Sequence, residues 1–339
     1  MKLRVGLVGL GTGWENRHRP ALRALSDRFE VRAICDQVSH RAEQAAREFN
    51  ATAVDGFRSL ANREDIDAVL MLSRQWYGTL PILAACDAGK AVYCAAAWDL
   101  DLEQTKHIKQ RVEDSGIAFM AEFPRRQAPA TLRLKELIAT RLGPPRLLFC
   151  HSRNPAENDK RKQAHCGPQD STMHDLVELV DWCRYVVGRE ATSVFGLTHQ
   201  AADAAGEPRR DYEMMSLDFS RGDVGADATA QISCGHYVSA GWPEAVAFRP
   251  PAALQVACEK GIAFIDLPAT LVWFDSAGRH METLDSDRPA GELLLAQFHR
   301  AVTSLLRNTS SLEDAYRALT VVLEARESHA RGARRFLEF

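Results

Sequence analysis

Through the first third of the chain, short unbroken apolar runs alternate with segments of helical periodicity. The runs are Leu3 to Val8, Val31 to Cys35, Ala68 to Leu72, Ala91 to Cys94 and Ile117 to Met120. Between them, Pro20 to Leu25, Ser39 to Phe49, Thr79 to Ala88 and Leu102 to Ser115 repeat their apolar residues at helical spacing. Strands that are apolar on both faces must be covered on both faces, so the alternation predicts βαβ units and a doubly wound parallel sheet. Gly89 stands just past the third of these helices, where a left-handed residue closes a helix.

From Arg125 the pattern changes. A helix is predicted at Ala128 to Ala139 and a strand at Arg146 to His151, followed by a polar stretch, Asn154 to Asp170, that reads as a lid or binding loop. A helix over Ser171 to Val187 comes next. Alternating segments then run from Thr192 to Thr198, Tyr212 to Phe219, Asp227 to Ser233, Ala253 to Cys258, Ile262 to Ile265 and Thr270 to Phe274. Period-two alternation predicts a large, mainly antiparallel open sheet with one face packed. Two helices, Gly291 to Leu306 and Ser311 to Ala330, end the sequence. The expected division is therefore a parallel α/β domain over 1–123 and a second α/β domain over 124–339, with the closing helices able to pack back on the first.

The 339 residues carry 42 Lys plus Arg against 45 Asp plus Glu, a net charge of -3. That balance leaves no electrostatic footprint for nucleic acid or an anionic membrane. No apolar stretch reaches the roughly 18 to 20 residues of a membrane span, and the N-terminus enters a strand pattern directly, so a cytoplasmic protein is expected. The eight cysteines contain no C-x-x-C pair, which argues against a disulfide framework or zinc ribbon and marks most of them as small buried hydrophobes.

Candidate chemistry begins with Gly9-Leu10-Gly11-Thr12-Gly13-Trp14, directly after the first strand, where a dinucleotide phosphate turn belongs. Gly9 permits the tight turn, Gly11 lets backbone approach a pyrophosphate, and the following helix offers its N-terminus. Asp36 ends the second strand, where a carboxylate accepts from both ribose hydroxyls of NAD; Arg41 keeps NADP open. The third glycine position is Trp14, so this turn must be longer or differently shaped.

Together with Asp67-Ala68-Val69-Leu70, Ala88-Gly89-Lys90, Arg125-Arg126, Asp181-x-x-Arg184-Tyr185-x-x-Gly188 and Glu313-Asp314-Ala315-x-Arg317-Ala318, these motifs make the chain resemble the glucose-fructose oxidoreductase / inositol dehydrogenase / MocA (Gfo/Idh/MocA) family over nearly its whole length. The resemblance implies a Rossmann domain followed by a substrate-binding and oligomerisation domain, and a homodimer or homotetramer built on the open sheet. It implies substrate held between the domains over the nicotinamide. It also implies cofactor contacts from Gly9 to Trp14 and from Asp36, Gln37, Arg41, Ser73, Arg74, Gln75 and Ala95, with Glu122, Arg126, Trp98 and Asp181 toward a sugar-like substrate.

Three family motifs are altered. Where Glu-Lys-Pro is usual, the chain reads Ala95-Ala96-Ala97, so the lysine that assists proton transfer is Ala96. In the Asp-x-Gly-x-His-x-x-Asp helix the matching positions are His174, Leu176, Glu178 and Asp181, and the Thr-Pro-Asn loop becomes Ser73-Arg74-Gln75. His174 and Glu178, four apart on a predicted helix, share a face and form either an acid/base pair or a helix-stabilising pair. No ligand spacing supports a resident metal, although His165, Cys166 or His151 would be the additional ligands. Arg74 can act only electrostatically. Glu122 either reaches substrate or pairs with Arg125 or Arg126. Trp76, Tyr77 and Trp98 either stack on a sugar or nicotinamide ring or pack. His18, His40, His107, His280, His299 and His329 read mostly as surface residues.

The leading expectation is an NAD(P)-dependent oxidoreductase passing hydride to or from a sugar, cyclitol or related polyol, with proton transfer at His174 or Glu178. Two alternatives stand beside it: a redox-neutral hydrolase, lyase or epimerase on the same scaffold, and a catalytically silent nucleotide- or sugar-binding homologue.

Overall fold

The computed structural model describes residues 1–11, 13–73, 77–95, 101–155, 171–202, 208–220, 227–239, 241–284, 288–304 and 310–339. The chain divides into two compact units, Met1–Pro124 with Asp287–Tyr316, and Arg125–Ser286 with Arg317–Phe339.

In the first unit, β1 (Leu3–Val8), α1 (Arg19–Ala24), β2 (Phe29–Cys35), α2 (Ser39–Phe49), β3 (Thr52–Ala53), α3 (Phe57–Ala61), β4 (Ala68–Met71), α4 (Leu80–Asp87), β5 (Ala91–Cys94), α5 (Leu102–Ser115) and β6 (Phe119–Ala121) follow one another. The strands form a six-stranded sheet in the order β3-β2-β1-β4-β5-β6, with every neighbouring pair parallel. The order reverses between β1 and β4, and in such sheets ligands bind at the carboxyl edge beside that switch point. β4, β5 and β6 are buried at every residue, as their unbroken apolar runs require. Arg4 and Asp67 clamp the start of β4 to β1: the Arg4 N–H and Nε both donate to Asp67 Oδ2, at 2.9 and 3.1 Å. Gly89, at φ +63, closes α4, with Lys90 N–H donating to the Ala85 carbonyl at 2.9 Å.

The second unit contains α6 (Pro129–Leu137), β7 (Pro145–Pro155), α7 (Ser171–Val187), β8 (Ser193–Ala202), β9 (Pro208–Asp218), β10 (Thr229–Val238), α8 (Pro243–Ala247), β11 (Leu254–Cys258), β12 (Ile262–Asp266), β13 (Thr270–Asp275) and β14 (Gly278–Thr283). After α9 (Ala290–Thr303), whose Leu294, Leu295 and Phe298 join the first unit's core, come α10 (Ser310–Arg331) and β15 (Arg335–Phe336). The nine strands run in the order β14-β13-β12-β11-β7-β10-β9-β8-β15. Neighbours are antiparallel except β7 and β10, which pair in parallel.

Helix α7 packs on β7, β9 and β10. On the opposite face, alternate residues leave Leu147, Phe195, Leu197, Phe274 and Met281 exposed. Gly196 lets α10 lie on β8: a Cβ there would stand 2.1 Å from the Ala325 carbonyl oxygen. Strand β14, Arg279-His280-Met281-Glu282 at its centre, escapes the sequence pattern because it is a largely exposed edge strand. Among the described residues, no helix is long and apolar enough to cross a membrane.

Candidate active site

The turn after β1 is shaped by what glycine alone permits. Gly9 has φ +72 and donates its N–H to the Cys35 carbonyl at 2.8 Å; a Cβ on it would meet Ser73 at 3.0 Å. A Cβ on Gly11 would stand 2.5 Å from the Leu72 carbonyl oxygen. The turn therefore lies against the end of β4 and can be built only with bare backbone at both positions.

Asp36, half-buried at the end of β2, accepts from the N–H of Leu10 at 2.7 Å through Oδ2 and of Val38 at 3.0 Å through Oδ1. Each carboxylate oxygen retains a lone pair for a diol. Arg41 donates to the Leu10 carbonyl oxygen, Gln37 is exposed, and Ala95 follows β5 with its N–H on the Met71 carbonyl at 2.9 Å. Glycine backbone and a strand-end carboxylate fit a nicotinamide adenine dinucleotide. Thr12, Arg74, Gln75, Trp76, Ala96 and Trp98 lie outside the described residues.

Trp14 is accommodated by a change in the helix itself. Trp14–His18 is a π turn, in which the Gly13 carbonyl accepts from both Arg17 N–H and His18 N–H, at 3.0 and 3.1 Å. The widened turn seats the indole in the core, its ring centroid 5.8 Å from that of Phe49.

The same turn carries inward a residue that the sequence pattern places at the surface. His18 is 2% exposed instead of lying at the surface, and its Nε2 is 2.9 Å from Glu122 Oε2. Tyr93 Oη donates to the same oxygen at 2.9 Å, and Arg17 donates to Glu122 Oε1. Burial alone would push the Glu122 carboxyl up, but His18 and Arg17 outweigh it and hold the group below its ordinary range. Burial beside that charge drives the Tyr93 phenol well up, so it remains a donor. Glu122 thus corrects both expectations for it: its side chain is 1% exposed and its partners are Arg17, His18 and Tyr93, not Arg125 or Arg126. Tyr77 is likewise turned to packing, its ring edge-on to Phe57 and its hydroxyl 3.5 Å from Cys35 Sγ.

Arg125 and Arg126 serve α7. Arg126 grips Asp181 in a bidentate pair, with Nε donating to Oδ2 at 2.7 Å, and Arg184 approaches the same carboxylate at 3.5 Å. Asp181, 1% exposed, is therefore an internal anchor of the helix. One turn earlier the arrangement opens. His174 Nε2 lies 3.2 Å from Glu178 Oε1, and Arg125 Nε donates to Glu178 Oε2 at 3.2 Å. The His174 side chain is 44% exposed and Glu178 15%, so this pair, unlike Asp181, is accessible to a small molecule.

A third group on α7 was not anticipated. Asp175, Cys234 and His236 place their ligating atoms within 4.8 Å of one another. Cys234 and His236 alternate on β10 and so share the face under α7; the predicted strand, Asp227 to Ser233, stops one residue short of them, and the observed strand runs on to Val238. Asn154 Nδ2 donates to Asp175 Oδ2 at 2.7 Å. His151, considered above as an added ligand, instead bonds Ser233 Oγ through Nδ1 at 2.7 Å; His165 and Cys166 lie outside the described residues.

A phosphate-type glycine turn at the switch point of a 3-2-1-4-5-6 sheet defines the class, a nucleotide-binding α/β protein with a second, mainly antiparallel unit. Residues 3–123 match the family described as "oxidoreductase family, NAD-binding Rossmann fold". An inositol 2-dehydrogenase of Acidothermus cellulolyticus is 30% identical over 237 residues, 69% of this chain and 67% of that protein. One from Cereibacter sphaeroides is 27% identical over 240 residues, 69% of this chain and 68% of its own. The crystal structure of an aldose-aldose oxidoreductase from Caulobacter crescentus, complexed with glycerol, superposes with a TM-score of 0.82 at 16% identity, covering 99% of this chain and all of the other. The chain belongs to the Gfo/Idh/MocA family of NAD-binding oxidoreductases.

Proposed function

We propose that the protein is an NAD-dependent dehydrogenase of a cyclitol, sugar or related polyol. The observation that carries this reading is the glycine turn closed by Asp36: bare backbone on the pyrophosphate side and a strand-end carboxylate whose remaining lone pairs suit the ribose diol. Gly9, Leu10, Gly11, Gly13, Asp36, Gln37, Ser73 and Ala95 would line the dinucleotide. Asp36 repels a 2'-phosphate, and Arg41 is already engaged with the Leu10 carbonyl, which supports NAD over NADP. The bound nicotinamide supplies the hydride acceptor.

This chain's own part is the proton. His174, half exposed and backed by Glu178, takes the proton of the substrate hydroxyl, and Glu178, held by Arg125, fixes the ring and compensates its charge. The pair takes over the duty of the family lysine, whose position is Ala96. Arg126 and Asp181 position α7 without touching substrate. The inositol dehydrogenase relatives support a polyol, and the apolar open face of the nine-stranded sheet supports association of two or four copies through it.

Titration with NADH and NADPH, read by nucleotide fluorescence, tests the cofactor: saturable NADH binding at least about tenfold tighter than NADPH is expected, and Asp36→Ala should narrow the gap. A polyol panel with NAD and absorbance of the reduced nicotinamide then tests turnover. Failure to bind either nucleotide sinks the dehydrogenase reading, and binding without turnover of any polyol points to a silent homologue.

A further inference from the structure

Asp175, Cys234 and His236 come from two elements brought together only by folding, and their ligating atoms lie within 4.8 Å of one another. His236 Nδ1 faces the carbonyl oxygen of Pro155 at 3.4 Å, an acceptor that only an N–H can satisfy. The other ring nitrogen, Nε2, lies 3.3 Å from Asp175 Oδ2 and 3.5 Å from Asn154 Nδ2. The Cys234 sulfur stands 3.8 Å from the same carboxylate oxygen. A histidine whose far nitrogen donates to a backbone carbonyl while its near nitrogen meets a carboxylate and a thiol is arranged as metal ligands are.

Two of the three separations match those of a tetrahedral zinc site, and the third lies within 4.8 Å. Zinc bonds of about 2.0–2.2 Å to nitrogen and oxygen and about 2.3 Å to sulfur, at tetrahedral angles, separate N from O by about 3.3 Å and S from O by about 3.6 Å. The structure has 3.3 and 3.8 Å. Thiolate with imidazole and carboxylate is a donor set of intermediate softness, which selects zinc over magnesium or calcium. One thiolate and one carboxylate also balance the charge of a divalent ion in a site where Cys234 is buried and His236 is 9% exposed. Asn154, donating to Asp175, orients the carboxylate. Asp175 keeps 24% of its side chain exposed, so the fourth position opens toward solvent.

We propose that Asp175, Cys234 and His236 bind one zinc ion through three protein ligands, leaving a fourth position for an exchangeable oxygen donor such as water or an alcohol. The site is distinct from the His174–Glu178 pair, and its test does not depend on nicotinamide binding.

The test uses the full-length chain, its metal content measured as purified, then stripped with a chelator and titrated with Co²⁺. The expected result is one equivalent bound, with a thiolate-to-cobalt charge-transfer band in the near ultraviolet and the intense visible bands of a tetrahedral site. Cys234→Ser should abolish the charge-transfer band, Asn154→Ala should weaken binding about tenfold or more, and Cys86→Ser, in the other unit, should leave the spectrum unchanged. Zinc should also raise the unfolding temperature of the wild type and of Cys86→Ser, but not of His236→Gln, which serves if Cys234→Ser does not fold. Absence of a charge-transfer band overturns the proposal. So does a band that survives Cys234→Ser and disappears with Cys166→Ser.

Discussion

Two of the molecule's carboxylate–histidine pairs are of nearly equal length and opposite character. Glu122 and His18 meet at 2.9 Å with side chains 1% and 3% exposed, and Arg17 and Tyr93 complete the carboxylate. Glu178 and His174 meet at 3.2 Å with side chains 15% and 44% exposed. In the first pair every neighbour is a donor already aimed at the carboxylate, and desolvation makes the loss of any one expensive. In the second, solvent screens the pair, so it contributes little to stability, but a substrate can reach the imidazole. Distance and residue type do not separate a structural pair from a chemical one; burial and the number of committed partners do.

The largest effect should come from breaking the inner pair. Glu122→Ala leaves His18 and the Tyr93 hydroxyl buried without their carboxylate, and denaturant unfolding should show a loss of about 3–5 kcal/mol. A loss below about 1 kcal/mol would erase the contrast between the pairs.

Removing the outer histidine should invert the pattern. His174→Ala is expected to lower kcat about a hundredfold while changing stability by no more than about 0.5 kcal/mol. If kcat is untouched, the accessible pair is not the proton-transfer group.

Gly11→Ala probes the turn from which His18 is carried inward. Its Cβ would meet the Leu72 carbonyl, a backbone atom that cannot swing aside, so about 1–3 kcal/mol of stability should be lost together with NADH affinity. Unaltered NADH binding would show that the turn is not the cofactor's seat.

The smallest effect is on pH dependence. Since the folded state holds the Glu122 carboxyl below its ordinary value, its stabilisation is complete above the unfolded value of about 4.3 and is lost as pH falls through the lower folded one. The stability gap between wild type and Glu122→Gln should therefore shrink from pH 7 toward pH 3. A gap that widened on acidification would reverse the assigned sign.

Much of the fold is legible in the sequence. Ala68-Val69-Leu70 and Ala91-Val92-Tyr93 read as doubly covered strands because both faces of a parallel sheet need apolar residues, and they are buried throughout. Helix Ser171–Val187 has the predicted bounds, and His174 and Glu178 sit on one face as spacing alone requires. Gly9 and Gly11 were legible because their demand is local, one for a positive φ and the other for a close backbone approach. His18 was misread because a helical histidine in a polar stretch carries no mark of its depth; a π turn and a carboxylate 104 residues away decide it.

The amino-acid sequence by itself determined what depends on neighbours along the chain: strand and helix periods, the glycine turn with its strand-end carboxylate, and the one-turn spacing of the α7 pair. Tertiary structure alone decided which carboxylates are consumed inside and which stay open. It set Arg126 on Asp181, closed Glu122 with His18, and brought Asp175 to Cys234 and His236 through the packing of α7 on β10. The physical reason is that periodicity is a property of local backbone geometry, whereas burial and the pairing of distant polar groups are set by the packing of elements far apart in the chain.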